Sequence, residues 1–130
     1  MAATPASRTI LVVEDDPETL EFYEFLLQEA GYGVLSALSG QQTRALMATR
    51  PINGVLLDYR LPDVFGLELC QELHAALGPD VPILLVTADR DPMLATWAHT
   101  AGATAYLGKP FNPDELLTLL AAYVPGADHT

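Results

Sequence analysis

The segment Arg8-Thr-Ile-Leu-Val-Val-Glu-Asp-Asp-Pro17 decides the fold, because it joins a short apolar run directly to three acids and a proline. A continuous apolar run of this length is typical of a strand that is buried on both faces of a sheet. Pro17 suits the first turn of a helix, where the helix dipole also favours acidic side chains. The segment therefore predicts a buried strand, a turn and a helix, in that order.

The same strand-then-helix pattern returns four times along the chain. Further apolar runs lie at 34–37, 54–58, 81–87 and 105–108. Helical segments are predicted after them at 39–49, 66–77, 91–101 and 112–123, with Ser39 and Asn112 as N-caps. Alternating strands and helices build a parallel sheet that is covered by helices on both faces. We therefore predict an α/β fold with a doubly wound, five-stranded parallel sheet, formed by one domain over residues 8–124 with flexible ends at 1–7 and 125–130.

The composition is that of one acidic globular domain. The 130 residues are 50% hydrophobic and include a single cysteine, Cys70, so no intrachain disulfide can form. The net charge of −11 would repel nucleic-acid phosphates, and we expect no direct binding to DNA or RNA. The N-terminal segment lacks the apolar core of a signal peptide, and no apolar run approaches the length of a membrane span. We therefore expect a cytoplasmic protein without membrane contact.

Chemically distinctive residues stand where the predicted strands end. In chain order they are Glu14 and Asp15 after the first strand, Asp58 after the third, Thr87 after the fourth and Lys109 after the fifth. In an open α/β sheet, ligands bind beyond the carboxyl ends of the strands. We therefore expect three acids, one hydroxyl and one lysine to converge on one edge of the sheet.

Three carboxylates in one place need positive charge beside them. Two unit charges ~4 Å apart repel by about 4 kcal/mol at an effective dielectric constant of about 20. Lys109 can offset one charge, and a divalent cation such as Mg²⁺ or Mn²⁺, which carboxylate oxygens hold well, can offset the rest. Such a site attracts a phosphoryl group, and Asp58 can act as the nucleophile that forms an acyl phosphate.

Four motifs resemble those of the bacterial response-regulator receiver family. They are Leu11-Val-Val-Glu-Asp-Asp-Pro17, Leu57-Asp-Tyr-Arg-Leu-Pro-Asp-Val-Phe-Gly66, Val86-Thr-Ala88 and Gly102-Ala-Thr-Ala-Tyr-Leu-Gly-Lys-Pro-Phe111. Each motif alone is weakly specific, but the four in this order and at these intervals are very specific. The resemblance covers about residues 8–123 and implies a flavodoxin-like (βα)5 fold with strand order 2-1-3-4-5.

The resemblance implies a role for each acid and for the lysine. Asp58 would be the phosphoacceptor. The metal ion would be held by Glu14, Asp15, Asp58 and the backbone carbonyl of Arg60, with Glu14 acting largely through water. Lys109 would pair with the phosphoryl oxygens. The implied function is a Mg²⁺-dependent phosphoprotein switch of two-component signalling, which promotes only its own phosphorylation and dephosphorylation and is not an enzyme.

The resemblance also implies how the switch is read. The hydroxyl of Thr87 would move onto the phosphoryl group, and Tyr106 would turn inward as Thr87 moves. The face formed by the fourth helix, the fifth strand and the fifth helix would then bind a downstream protein. The donor would be a sensor histidine kinase or a phosphotransfer protein, and the chain would be a monomer or a weak phosphorylation-dependent dimer. The Lys109–Pro110 peptide bond would be cis.

Rival classes fit the residues less well. A flavin-binding domain needs a phosphate-friendly loop after the first strand, where Glu14 and the acids beside it would repel a bare phosphate. An aspartate-nucleophile phosphatase needs its nucleophile on the first strand and a second Asp two residues further on, whereas Asp58 ends the third strand and Arg60 follows it. The remaining alternative is a degenerate receiver that is not phosphorylated and serves as a constitutive protein-binding module.

Two features depart from the family pattern and suggest hypotheses. Arg60 and Asp89 each stand two residues after a site residue. Either they form an ion pair across the site entrance that slows hydrolysis of the acyl phosphate, or both side chains simply point into solvent. Trp97, on a predicted helix without charge after Asp91, either is exposed as a binding anchor or packs over a neighbouring loop.

Overall fold

Strands and helices alternate along the chain in a computed structural model that describes residues 8–49 and 51–125. The strands are β1 (Thr9–Val13), β2 (Gly33–Ala37), β3 (Gly54–Asp58), β4 (Ile83–Thr87) and β5 (Ala105–Gly108). The helices are α1 (Pro17–Glu29), α2 (Gly40–Leu46), α3 (Gly66–Leu77), α4 (Leu94–Thr100) and α5 (Pro113–Tyr123). Within these residues the strands form one parallel sheet in the order β2-β1-β3-β4-β5, which confirms the predicted fold class and strand order.

The three central strands, β1, β3 and β4, are buried on both faces, which explains their continuous apolar runs in the sequence. On one face, Ile10 and Val12 of β1 belong to a core with residues of α1 and α5. On the other face, Leu11 and Val13 belong to a core with residues of α3 and α4. The strand order reverses between β1 and β3, so the crevice of this doubly wound sheet lies beyond the carboxyl ends of these two strands.

Side-chain caps start two of the helices where the sequence places them. The Ser39 hydroxyl accepts the Gln42 N–H at 3.1 Å at the start of α2. Asn112 and Glu115 form a reciprocal capping box at the start of α5, with both hydrogen bonds at 2.9 Å. None of the helices in the described part of the chain is long and apolar enough to cross a membrane.

Two predicted helix boundaries are wrong. The second helix was expected over 39–49 but ends at Leu46, where the backbone N–H and the hydroxyl of Thr49 both bond to the Leu46 carbonyl and close a turn. The fourth helix was expected from Asp91 but begins at Leu94. There the Asp91 carboxylate accepts the Met93 N–H at 2.9 Å, which holds 91–93 in a turn instead of a first helical turn.

Two further predictions concern the Lys109–Pro110 peptide bond and the ends of the chain. The Lys109–Pro110 bond is cis, as expected. The ends predicted to be flexible, 1–7 and 125–130, lie outside the described residues except for Pro125, which is exposed. The domain limits of 8–124 stay a prediction.

Gly66, at the start of α3, lies close to the backbone of Tyr59, which follows β3, and a substitution at Gly66 tests this close approach. A Cβ atom on Gly66 would lie 2.3 Å from the carbonyl oxygen and 2.8 Å from the Cα of Tyr59, and backbone atoms cannot move aside cheaply. We expect Gly66→Ala to lower the free energy of unfolding by about 1–3 kcal/mol or more, measured by urea denaturation. Gly108→Ala is the matched control, because its nearest neighbour would be 4.0 Å away. Equal stability of the two variants would contradict this packing.

Candidate functional site

The carboxyl edge of the sheet brings together the polar residues that end the strands. Glu14, Asp58 and Thr87 are buried there, with 3%, 8% and 1% of their surfaces exposed, whereas Asp15 is exposed. One carboxylate oxygen from each of Glu14, Asp15 and Asp58 lies within 4.8 Å of the others. The three acids predicted from the strand ends therefore form one cluster.

Lys109 is the cation that faces this cluster. Its Nζ lies 3.6 Å from Glu14 Oε1 and 3.6 Å from Asp58 Oδ2. Both distances permit ion pairing but are too long for good hydrogen bonds. The Oε1 atom of Glu14 is buried and has no hydrogen-bond partner among the described residues. One lysine therefore leaves the charge of three carboxylates only partly balanced.

Burial changes the acidity of Glu14. Loss of solvent around this side chain raises its pKa to about 7, and the charge of Asp58 adds to the increase. The Asp16 N–H, which donates to Glu14 Oε2 at 3.0 Å, and the charge of Lys109 act in the opposite direction. The carboxylate is thus held in a place that disfavours its charged form unless further positive charge is present.

The cluster suits a small divalent cation. Carboxylate oxygens are the hard ligands that Mg²⁺ prefers, and an exposed acid such as Asp15 leaves a side of the site open to water. The unpartnered buried oxygen of Glu14 is the kind of atom that a metal ion or its water would satisfy. The acidic pocket is therefore compatible with Mg²⁺.

The residues expected to act in the switch lie on β4 and β5. The hydroxyl of Thr87 accepts the N–H of Asp89 at 2.9 Å, so it is bonded within its own strand-to-helix loop. Tyr106, on β5 beside β4, is 42% exposed and faces outward. The movement of both residues toward the site stays a prediction.

The geometry bears on both hypotheses about residues that depart from the family pattern, which concern the Arg60–Asp89 pair and Trp97. Arg60 Nη2 lies 3.7 Å from Asp89 Oδ2, so the expected ion pair is present. The Arg60 side chain is 78% exposed, which makes this a solvent-screened pair. The Arg60 N–H also donates to Asp58 Oδ1 at 3.2 Å, at the start of the loop that carries the pair. Trp97 is 42% exposed, which favours the binding-anchor reading of that residue.

Asp63 is a structural member of this region that the sequence did not reveal. Its two carboxylate oxygens accept the backbone N–H groups of Gly40 and Gln41 at 2.9 and 3.0 Å, which also lowers its pKa. A Cβ atom on Gly40 would lie 2.4 Å from Val64, so α2 and the β3–α3 loop are in close contact. The partner is 23 residues away along the chain, and no local pattern in the sequence indicates it.

Asp16, the third acid of the first motif, caps a helix, whereas its neighbours Glu14 and Asp15 belong to the carboxylate cluster. Its carboxylate accepts the Thr19 N–H at 3.0 Å and the Thr19 hydroxyl at 2.5 Å, which lowers its pKa and caps α1. An N-cap acid three residues before its partner could have been recognised from Asp16-Pro-Glu-Thr19 alone.

Comparison with known proteins identifies the family. Residues 10–121 match the model of the response regulator receiver domain. The phosphate regulon transcriptional regulatory protein PhoB of Pseudomonas aeruginosa is 36% identical over 116 residues, which are 88% of this chain and 51% of that protein. The chain spans about half the length of the curated relatives it matches.

Solved structures agree with this assignment. A CheY-like response regulator receiver domain protein from Methanospirillum hungatei has a TM-score of 0.84 and 32% identity, covering 90% of this chain and 93% of that one. A response regulator from Burkholderia pseudomallei, solved with a phosphorylated aspartic acid, a calcium ion and citrate, has a TM-score of 0.80 and 28% identity, covering 89% of this chain and 66% of that one. The chain belongs to the response regulator receiver family of two-component signalling.

The raised pKa of Glu14 predicts a pH-dependent instability in metal-free buffer. The folded pKa of about 7 exceeds the ordinary 4.5, so the folded state binds this proton more tightly than the unfolded state does. The contribution of Glu14 to the free energy of unfolding therefore falls as pH rises from 4.5 to 7. We expect Glu14→Gln to resemble wild type below pH 5 and to be the more stable protein above pH 7, measured by urea denaturation with EDTA.

The matched control for this titration is Glu21→Gln, which removes an exposed carboxylate of α1. Subtracting its effect separates the Glu14 contribution from the general relief of negative charge. A stabilisation by Glu14→Gln that is the same at pH 5 and pH 8 would contradict the account.

Proposed function

We propose that this chain is a phospho-accepting receiver that works by taking a phosphoryl group onto Asp58. The observation that carries the proposal is the placement of Asp58, which is buried beside Glu14 and Asp15 and lies 3.6 Å from Lys109. A carboxylate is an adequate nucleophile only when the transferring group's charge is offset beside it. Lys109 and a cation held by the acids supply that charge.

The transfer step has a simple balance. The donor is a phosphorylated histidine of a sensor histidine kinase or of a phosphotransfer protein. An oxygen of Asp58 forms a bond to phosphorus while the phosphorus–nitrogen bond breaks, and the imidazole nitrogen keeps the electron pair and takes up a proton. Water later cleaves the acyl phosphate, which releases inorganic phosphate and restores the carboxylate. The chain would promote only its own phosphorylation and dephosphorylation, so we propose that it is not an enzyme.

Four groups of this chain would hold the metal ion. They are the carboxylates of Glu14, Asp15 and Asp58 and the backbone carbonyl of Arg60. When bound, Mg²⁺ or Mn²⁺ supplies positive charge to the oxygens of the transferring phosphoryl group. A relative from Burkholderia pseudomallei was solved with a phosphorylated aspartic acid and a calcium ion, which supports phosphorylation of an aspartate in the presence of a divalent cation.

The phosphoryl group would act on the output surface through Thr87. We propose that its hydroxyl leaves the Asp89 N–H for a phosphoryl oxygen, and that Tyr106 turns inward from its exposed position. The face of α4, β5 and α5 would then change shape for a downstream protein. A partner that prefers the changed face must in turn favour phosphorylation, because coupling between two sites is reciprocal.

Intact mass tests the proposal directly. After incubation with acetyl phosphate and Mg²⁺, we expect wild type to gain the mass of one phosphoryl group. Asp58→Asn should show no gain, because an amide is not a competent nucleophile, and EDTA should suppress the gain in wild type. A folded wild-type protein that gains nothing from acetyl phosphate or from a phosphorylated histidine donor would instead support the degenerate binding module.

The Arg60–Asp89 pair predicts an effect on the lifetime of the acyl phosphate. If the pair shields the site entrance from water, Arg60→Ala should accelerate loss of the phosphoryl group by up to about fivefold, since an exposed ion pair contributes ~1 kcal/mol at most. Asp89→Ala should have a similar effect, and the double variant should add little. Decay of the phosphorylated mass after removal of the donor measures this.

Arg8→Ala is the control for the change of charge, because Arg8 is exposed and precedes β1 at the opposite edge of the sheet. An unchanged half-life of the acyl phosphate in Arg60→Ala would contradict the shielding hypothesis but not the phosphorylation of Asp58.

A further inference from the structure

The exposed surface of α4 differs from that of an ordinary solvent-facing helix. Its seven residues, Leu94–Thr100, include no Lys, Arg, Asp or Glu. Trp97 on this helix is 42% exposed, and Met93 just before it is 48% exposed. Uncharged surface that carries Trp and Met is typical of the centre of a protein interface, where charged residues are depleted.

Exposed apolar side chains continue onto the neighbouring strand β5 and the groove beside it. β5 packs beside α4, and Tyr106 on β5 is 42% exposed. Tyr106 also lines a groove of about 560 Å³ between β5 and α5, together with Leu107 and Leu119. We call the surface of Met93, Trp97, Tyr106 and this groove the aromatic face.

The rim of the aromatic face is acidic. Asp91 lies just before α4, and Asp114 and Glu115 line the groove from the first turn of α5. The single Lys or Arg between residues 91 and 125 is Lys109, whose ammonium group is directed toward Glu14 and Asp58. Arg90, which is exposed beside Asp91, adds one positive charge, so the rim carries three acids against one exposed cation and remains negative.

We infer that the aromatic face binds a basic amphipathic segment of another protein, in which apolar or aromatic side chains are flanked by Lys and Arg. This inference rests on the proposed function, since it names the partner class of the output face. Aromatic anchors would supply the affinity, and opposite charges at the rim would supply the specificity. A second copy of this chain is a poor occupant, because a twofold interface sets the same patch against itself and here would oppose acids with acids.

A phage-displayed library of random 12-residue peptides tests the inference. The full chain is panned after treatment with acetyl phosphate and Mg²⁺, and Trp97→Ala is used for counter-selection. We expect the enriched peptides to carry a positive net charge around apolar or aromatic residues. Trp97 is the only tryptophan of the chain, so binding of a synthetic enriched peptide should shift its fluorescence emission.

Matched charge variants separate the rim from the general acidity of the protein. Asp91→Asn with Asp114→Asn removes two charges at the rim, and Glu21→Gln with Glu29→Gln removes two exposed charges from α1. We expect the rim pair to weaken binding of the enriched peptide at least threefold and the α1 pair to leave it nearly unchanged. Trp97→Ala should weaken binding at least tenfold.

The outcomes distinguish this inference from the proposed function. The inference would be overturned if the enriched peptides were neutral or acidic, if the two charge pairs lost the same binding strength, or if Trp97 emission did not change. Dimerisation of the chain through this face would also overturn it. Each of these results counts even where intact mass shows phosphorylation. Selective binding of basic peptides at Trp97 without any phosphoryl gain would support the surface and contradict the phosphoacceptor role.

Discussion

The crowding of carboxylates at one edge of the sheet is the constraint on which the rest of the structure depends. Glu14 and Asp58 are buried, Asp15 stands beside them, and Lys109 is 3.6 Å from each of the two buried acids. Opposed charges in partly buried surroundings interact strongly, but one ammonium cannot balance three carboxylates. The excess negative charge disfavours the charged form of Glu14 and makes the site compatible with a divalent cation.

The fold tolerates this concentration of charge because the central strands β1, β3 and β4 are apolar and buried on both faces. The cores on the two sides contain residues of the same strands, so the strand ends are fixed by packing below the site. Asp63 adds a second constraint, since it joins the β3–α3 loop to the start of α2. Asp58, the proposed phosphoacceptor, therefore lies at the end of a fully buried strand, while the residues proposed to move lie on β4 and β5 at one side of the sheet.

Much of this arrangement is predictable from the sequence, for physical reasons. Apolar runs in which polar and apolar residues do not alternate are typical of strands buried on both faces. The acids that end these runs indicate the edge of the sheet where ligands bind. The alternation of strands and helices is enough for the fold class, and the resemblance to receivers added the strand order. The convergence of Glu14, Asp15, Asp58 and Lys109 followed from the strand ends alone.

Other features depend on contacts that the sequence does not display. The helix α4 was predicted to start at Asp91 but starts at Leu94, because the Asp91 carboxylate accepts the Met93 N–H and holds 91–93 in a turn that the sequence does not distinguish from a first helical turn. The Asp63 link to α2 joins residues far apart in the chain. The exposure of Trp97 depends on which way α4 turns over β5, and periodicity over seven residues is too short to fix it.

Calorimetric titration with Mg²⁺, in wild type and in Asp15→Asn, tests the central claim most directly. The account predicts one cation bound per wild-type chain and at least tenfold weaker binding in the variant, because a charged ligand is lost from a site that needs positive charge. Binding of equal strength in the two proteins, or no binding in wild type, would show that the carboxylate cluster is balanced without a metal ion and would contradict the account.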